Sequence, residues 1–171
     1  MASFTEQDIN QHALDWEILR DGGICLYRRP ELLSKDLDWL ISRHYEIKDF
    51  DSGSWHSEPL MHDELSSGLG FPAHYGRNLH ALDECMSEDL VVPDLGGVVI
   101  CLKRFDQFAS RLQSAPALLN ILAKASREHM LRGRRLVTLV QSDDPRVTFT
   151  GLGCVSAQWN RHEWLFSNRG M

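Results

Sequence analysis

At 171 residues, with 43% hydrophobic and 25% charged side chains, the chain is long enough to bury a core without disulfides or a metal, and its composition argues against long disorder. No apolar run approaches the ~20 residues of a membrane-spanning helix, and residues 1–20 hold no basic patch followed by an apolar stretch, so a cytoplasmic protein without a membrane partner is expected. The net charge of −6 is unevenly spread, at −4 over residues 1–50, −8 over 51–95, +6 over 96–135 and zero over 136–171. Such a surface attracts basic partners and repels nucleic acid.

In chain order, Gly22-Gly23 punctuate the sequence before a strand over Ile24–Tyr27. Pro30 opens a helix with Leu33, Leu37, Leu40 and Ile41 on one face. Tyr45–Phe50 reads as a second strand. A helix over 58–69 follows, capped by Ser57, with Leu60, Met61 and Leu65 inward, and Gly70-Phe71-Pro72 ends it. Asn78 begins the next helix, which runs to about Asp89. Gly96–Leu102 is a continuous apolar run, the pattern of a central strand covered on both faces. Two helical patterns come next, one through Phe105, Phe108 and Leu112 and one through Leu118, Leu119, Leu122 and Ala125, the latter closed by Gly133. Leu136–Val140 is another buried strand. Beyond Asp143-Asp144-Pro145, residues 147–150 and 155–159 read as short strands around Gly151 and Gly153, a terminal hairpin or edge addition. The alternation of strands and helices predicts an α/β fold with a small, mainly parallel sheet. One domain over residues 1–171 is expected, with extensions around a single core.

Cys25, Cys85, Cys101 and Cys154 stand singly, without Cys-x-x-Cys or zinc-ligand spacing, and read as reduced, buried filling. His56, His62, His74 and His80 crowd the acidic segment but none pair at i, i+4 on a helix, so neither a metal nor another cofactor is expected. His80 and Glu84 share a helical face but lack a nucleophile, and no catalytic residue is assigned. Arg132, Arg134 and Arg135 lie at a helix C-terminus, where they complement the dipole better than they mark a nucleic-acid site.

The segment from Leu69 to Met86 carries the functional argument. Pro72 and Gly76 shape a tight loop and Asn78 is a good N-cap. Leu79, Leu82, Cys85 and Met86 then share one helical face, while His80, Asp83, Glu84, Ser87 and Glu88 share the other. Glu84 and Glu88 repel each other at i, i+4, a cost that a partner rich in Arg and Lys offsets.

Leu69-Gly70-Phe71-Pro72, then Tyr75-Gly76-x-Asn78-Leu79-x-Ala81-Leu82, then Cys85, resembles the barstar family, intracellular inhibitors of barnase-type ribonucleases. The resemblance runs over about 45–141, leaving an N-terminal strand–helix extension (1–44) and a C-terminal extension (142–171) with the terminal β-hairpin. It implies a barstar-like fold and a non-enzymatic protein that occludes a basic ribonuclease or nuclease toxin with an acidic helix. The implied contact strip is His74, Tyr75, Gly76, Asn78, Leu79, His80, Asp83, Glu84 and Ser87, with Glu84 at the dominant acidic position. His80 stands where the family pattern has an Asp and Asp83 where an aromatic is common. Glu128 is a second candidate acid. The alternative reading is a barstar-like regulatory or adaptor module with a non-nuclease protein partner.

Overall fold

The computed structural model describes residues 3–149, 152 and 156–165, without the side chains of 164 and 165. In chain order, α1 (Glu6–Asn10) and α2 (Leu14–Arg20) lead into β1 (Ile24–Tyr27), α3 (Pro30–Ser42), β2 (Tyr45–Asp51), α4 (Glu58–Leu69) and α5 (Leu79–Glu88). Then come β3 (Gly97–Lys103), α6 (Phe105–Arg111), α7 (Ala115–Leu131), β4 (Leu136–Gln141) and β5 (Gln158–Trp159). The strands form one sheet in the order β2-β3-β4-β1-β5, and every pairing is parallel. The registers run from Tyr45 opposite Gly97, Val98 opposite Leu136, and Ile24 opposite Thr138. Among the described residues no helix is long and apolar enough to cross a membrane.

Strand periodicity sorts the side chains of the sheet into two cores. On one face Leu26, Phe50, Val98, Ile100, Leu102, Leu136 and Val140 meet α4–α7 through residues such as Met61, Leu65, Leu82, Met86, Phe108 and Leu118. On the other face Cys25, Tyr27, Tyr45, Val99, Cys101, Val137 and Leu139 meet Ile18 and Leu19 of α2 and Leu33 and Leu40 of α3. β4 is buried at every position and β3 at all but its last, which accounts for their unbroken apolar runs. The N-terminal extension therefore supplies α2 and α3, the main helices of the second layer.

A polar clamp ties that layer down. Asp15, fully buried, accepts the Tyr45 hydroxyl at 2.7 Å and Arg135 Nη1 at 2.9 Å. Arg135 also donates to the Ser3 carbonyl at 2.6 Å and lies 4.3 Å from the Phe4 ring. Of the three arginines read as a helix-terminal cluster, one is thus a cross-layer anchor. Arg134 pairs with Asp94 at 3.6 Å, and Arg132 donates to the Ser87 carbonyl.

Several expectations are corrected. Ile41 is 54% exposed, and the inward face of α3 runs instead through Leu33, Asp36 and Leu40. The i, i+3, i+7 spacing of those three fits the helix, but a buried Asp hides from an apolar pattern. Helices α1 and α2 are additional to the expected elements. The signal for α1 was Thr5-x-x-Asp8, which forms a capping box in which Thr5 and Asp8 bond reciprocally. These bonds, led by the Thr5 backbone N–H, lower the Asp8 pKa. Of the expected hairpin or edge addition, the described residues show the edge strand, β5 parallel to β1; Val147–Phe149 form no strand, and the Ala157 N–H donates to the Phe149 carbonyl at 3.1 Å. The rest of that expectation, residues 150, 151 and 153–155, falls outside the described residues, as does Cys154. Cys25, Cys85 and Cys101 are free and buried, and burial pushes their thiols up to about 12, 11 and 12 respectively, which keeps them protonated.

Leu19→Asp sets an unpaired carboxylate against the sheet and is expected to cost more than ~3 kcal/mol in urea denaturation, whereas Ile41→Asp on the neighbouring helix changes stability by no more than ~0.5 kcal/mol.

Candidate protein-binding site

α4 ends where Gly70 adopts φ +72°, a left-handed cap that turns the chain into the loop ahead of α5. Tyr75 plugs this loop into the core. Its ring packs on Phe71 and His62 with centroids 5.1 and 5.8 Å away, and its hydroxyl lies 2.5 Å from Nδ1 of buried His62. Burial lowers the His62 pKa and raises that of Tyr75, so the bond joins a neutral imidazole to a neutral phenol. Asn78 then fastens loop to helix: its Oδ1 accepts the Ala81 N–H at 2.9 Å, and its Nδ2 donates to the Gly76 carbonyl at 3.0 Å.

α5 buries Leu82, Cys85 and Met86 and is braced by α7 at three levels. Lys124 Nζ pairs with Asp83 Oδ2 at 2.6 Å, His129 Nε2 bonds the Met86 carbonyl at 2.8 Å, and Arg132 bonds the Ser87 carbonyl. The last two contacts serve carbonyls of the final turn, which the helix cannot satisfy itself.

The outward face carries His80, Glu84 and Glu88, all exposed. His80 Nε2 and Glu84 Oε1 are 3.4 Å apart, with side chains 83% and 63% exposed. Neither first-turn acids nor last-turn bases are present on α5, and Glu88 and Asp89 sit at its negative dipole end. That arrangement does not favour the helix in isolation.

Of the nine expected strip residues, His74, Gly76, Asn78, His80 and Glu84 are exposed, and Leu79, Asp83 and Ser87 are half-buried. Tyr75 is buried, so its side chain shapes the loop from beneath. Asp83 is committed to Lys124, and Glu128 lies 3.8 Å from the same ammonium. Asp83 Oδ1 and Ser87 Oγ, four residues apart, are shielded from solvent without a hydrogen-bond partner. Sequence reasoning missed His62 and Lys124. A His on an otherwise apolar helix face gave the first a weak signal, and Lys124, 41 residues from Asp83, gave none. The strip is the outer face of a helix, and the clefts of 590, 470 and 330 Å³ are lined by other residues. Among the described residues no three His, Cys, Asp or Glu gather as a metal site.

The family model described as Barstar (barnase inhibitor) matches residues 45–141, from the first residue of β2 to the last of β4. The chain belongs to the barstar family. A Bacillus subtilis (strain 168) member named "Putative ribonuclease inhibitor YrdF" is 32% identical over 79 residues, which are 46% of this chain and 82% of the relative. At the level of fold alone, the chain is similar to one in a solved structure described as "Structure of Drosophila ORC bound to AT-rich DNA and Cdc6", with a TM-score of 0.51 and 19% identity. That likeness covers 95% of this chain and 59% of the other. The matched stretch holds three of the five strands, β2-β3-β4, with α4–α7, and β1, β5 and α1–α3 lie outside it.

Asn78→Ala removes the N-cap oxygen and the tie to Gly76, and is expected to lower stability by about 1 kcal/mol, read as a fall in the urea midpoint with an unchanged m-value.

Proposed function

We propose that this barstar-family protein is an inhibitor or immunity protein that binds a basic ribonuclease or nuclease toxin inside the cell and blocks its active site with the outer face of α5 and the loop before it. The observation that carries the reading is the braced, exposed acidic end of α5, where Glu84 and Glu88 project from a helix held by the core and by α7. Carboxylates fixed in this way match the Arg, Lys and His groups that a ribonuclease preorganises for phosphate. The proposed contact strip is His74, Gly76, Asn78, Leu79, His80, Asp83, Glu84 and Ser87, with the loop shaped by Tyr75. An inhibitor of this kind needs no catalytic group and no cofactor. We also infer that residues 1–171 work as one domain, because Asp15, Tyr45 and Arg135 link the N-terminal layer to the family core.

A second reading is an adaptor with a non-nuclease protein partner. It is favoured by the mixed charge of the strip, where exposed His80 sits beside Glu84 and Lys124 already neutralises Asp83.

Titrating a barnase-type ribonuclease, and any toxin nuclease from the same source, with this protein while following RNA cleavage separates the two. The inhibitor reading predicts a linear fall to zero activity near one equivalent. Glu84→Lys then raises Kd by roughly a hundredfold (~2.7 kcal/mol) with the circular dichroism spectrum unchanged, because the side chain lies outside the core. Full ribonuclease activity at large excess favours the adaptor, and inhibition unaltered by Glu84→Lys contradicts the acidic-helix mechanism.

A further inference from the structure

The N-terminal layer holds a cleft of 330 Å³ between the α1–α2 turn, the flank of α3 that carries Lys35, Asp36 and Trp39, and the residues after β5. Its volume is at the small end of the ~300–1,000 Å³ range of small-molecule sites. The cleft lies on the sheet face covered by α2 and α3, opposite the layer that contains α5.

Asp36 forms part of its wall and is only 9% exposed. Its Oδ2 accepts the Tyr27 hydroxyl at 2.8 Å and Asn160 Nδ2 at 2.7 Å. Among the described residues Oδ1 has no hydrogen-bond partner, yet it is not sealed from solvent, and no cation pairs with the carboxylate. A carboxylate this deep ordinarily meets a cation, because two neutral donors leave its charge uncompensated. The Tyr27 proton is also firmly held, since burial raises that phenol well above its ordinary range.

The rest of the cleft has the opposite sign. Lys35, Arg43 and Arg161 line it with His162, and Trp39 forms an aromatic wall. Arg43 already meets Asp8 at 3.0 Å and Arg161 meets Glu17 at 2.6 Å, but both guanidiniums keep donors for a further acceptor. A simple anion is repelled by Asp36 and a polyamine by the three cations. A metal ion finds one carboxylate and no second hard ligand of the same kind beside it.

We propose that this cleft binds a free amino acid, with the ligand ammonium on Asp36 Oδ1 and its carboxylate at the Arg43–Arg161 rim. The ammonium completes the buried charge, and the carboxylate meets fixed guanidinium donors. This site is separate from the α5 strip and does not depend on what that strip binds.

Calorimetric titration of the full chain with each of the standard amino acids tests the proposal, with methylammonium and acetate as the two half-molecules. At least one amino acid is expected to bind saturably and one-to-one, with both half-molecules weaker by about tenfold or more. Asp36→Asn keeps an oxygen for Tyr27 and Asn160 but turns an amide toward the cleft, and is expected to weaken amino-acid binding by about tenfold or more. Arg161→Gln lies at an exposed position and serves as the second variant if Asp36→Asn does not fold. It is expected to weaken the amino acid and leave methylammonium unchanged. Absence of saturable binding by every amino acid overturns the proposal, as does undiminished binding to a folded Asp36→Asn or Arg161→Gln protein.

Discussion

β3 and β4 are buried on both faces, and each face needs its own layer of helices. Val98, Ile100 and Leu102 point into one core while Val99 and Cys101 point into the other, and β4 divides in the same way. Each such side chain is worth about 1.5–3 kcal/mol only while its own face is covered. Helices α4–α7, within the family-matched stretch, cover one face, and α2 and α3, outside it, cover the other. The N-terminal extension is thus part of the hydrophobic core. Buried Asp15, shared by Tyr45 and Arg135, fixes how that layer lies on the sheet.

The same packing holds α5 in place on the core. Its inward face is locked among Leu82, Cys85 and Met86, its N-terminus is capped by Asn78, and α7 holds its last turn by His129 and Arg132. A partner meeting such a surface orders few side chains beyond its own, which reduces the entropic cost of association. The outward charges lie in the wrong order for the helix dipole, with acids at the C-terminal end. Lys124 and His80 temper that acidity at Asp83 and Glu84, so the proposed strip carries a pattern of charges as well as a net sum.

Much of this was legible in the sequence. The apolar runs of β3 and β4 announced two-sided burial, and Ser57, Asn78 and Gly70 marked helix ends by their own backbone chemistry. The loop–helix motif pointed to the family and to its extent. What stayed hidden were polar groups whose roles depend on distant residues. Asp36 on α3, Asp15 beneath Arg135, His62 under Tyr75 and Lys124 against Asp83 look in sequence like ordinary surface or filler positions. Ile41 failed in the opposite sense, because apolar spacing does not say how wide a helix face the sheet covers. In the C-terminal segment short β-branched runs around glycine fit a hairpin and an edge strand equally well, and the described residues show the edge strand.

We propose that the α5 face is the surface a ribonuclease meets. The most direct test is the amide NMR spectrum of the isotopically labelled protein as an unlabelled, catalytically inactivated barnase-type ribonuclease is added. Perturbations concentrated over residues 74–88, with little change in α1–α3, are expected. Perturbations confined to the N-terminal layer, or a spectrum that does not move at saturating ribonuclease, would contradict it.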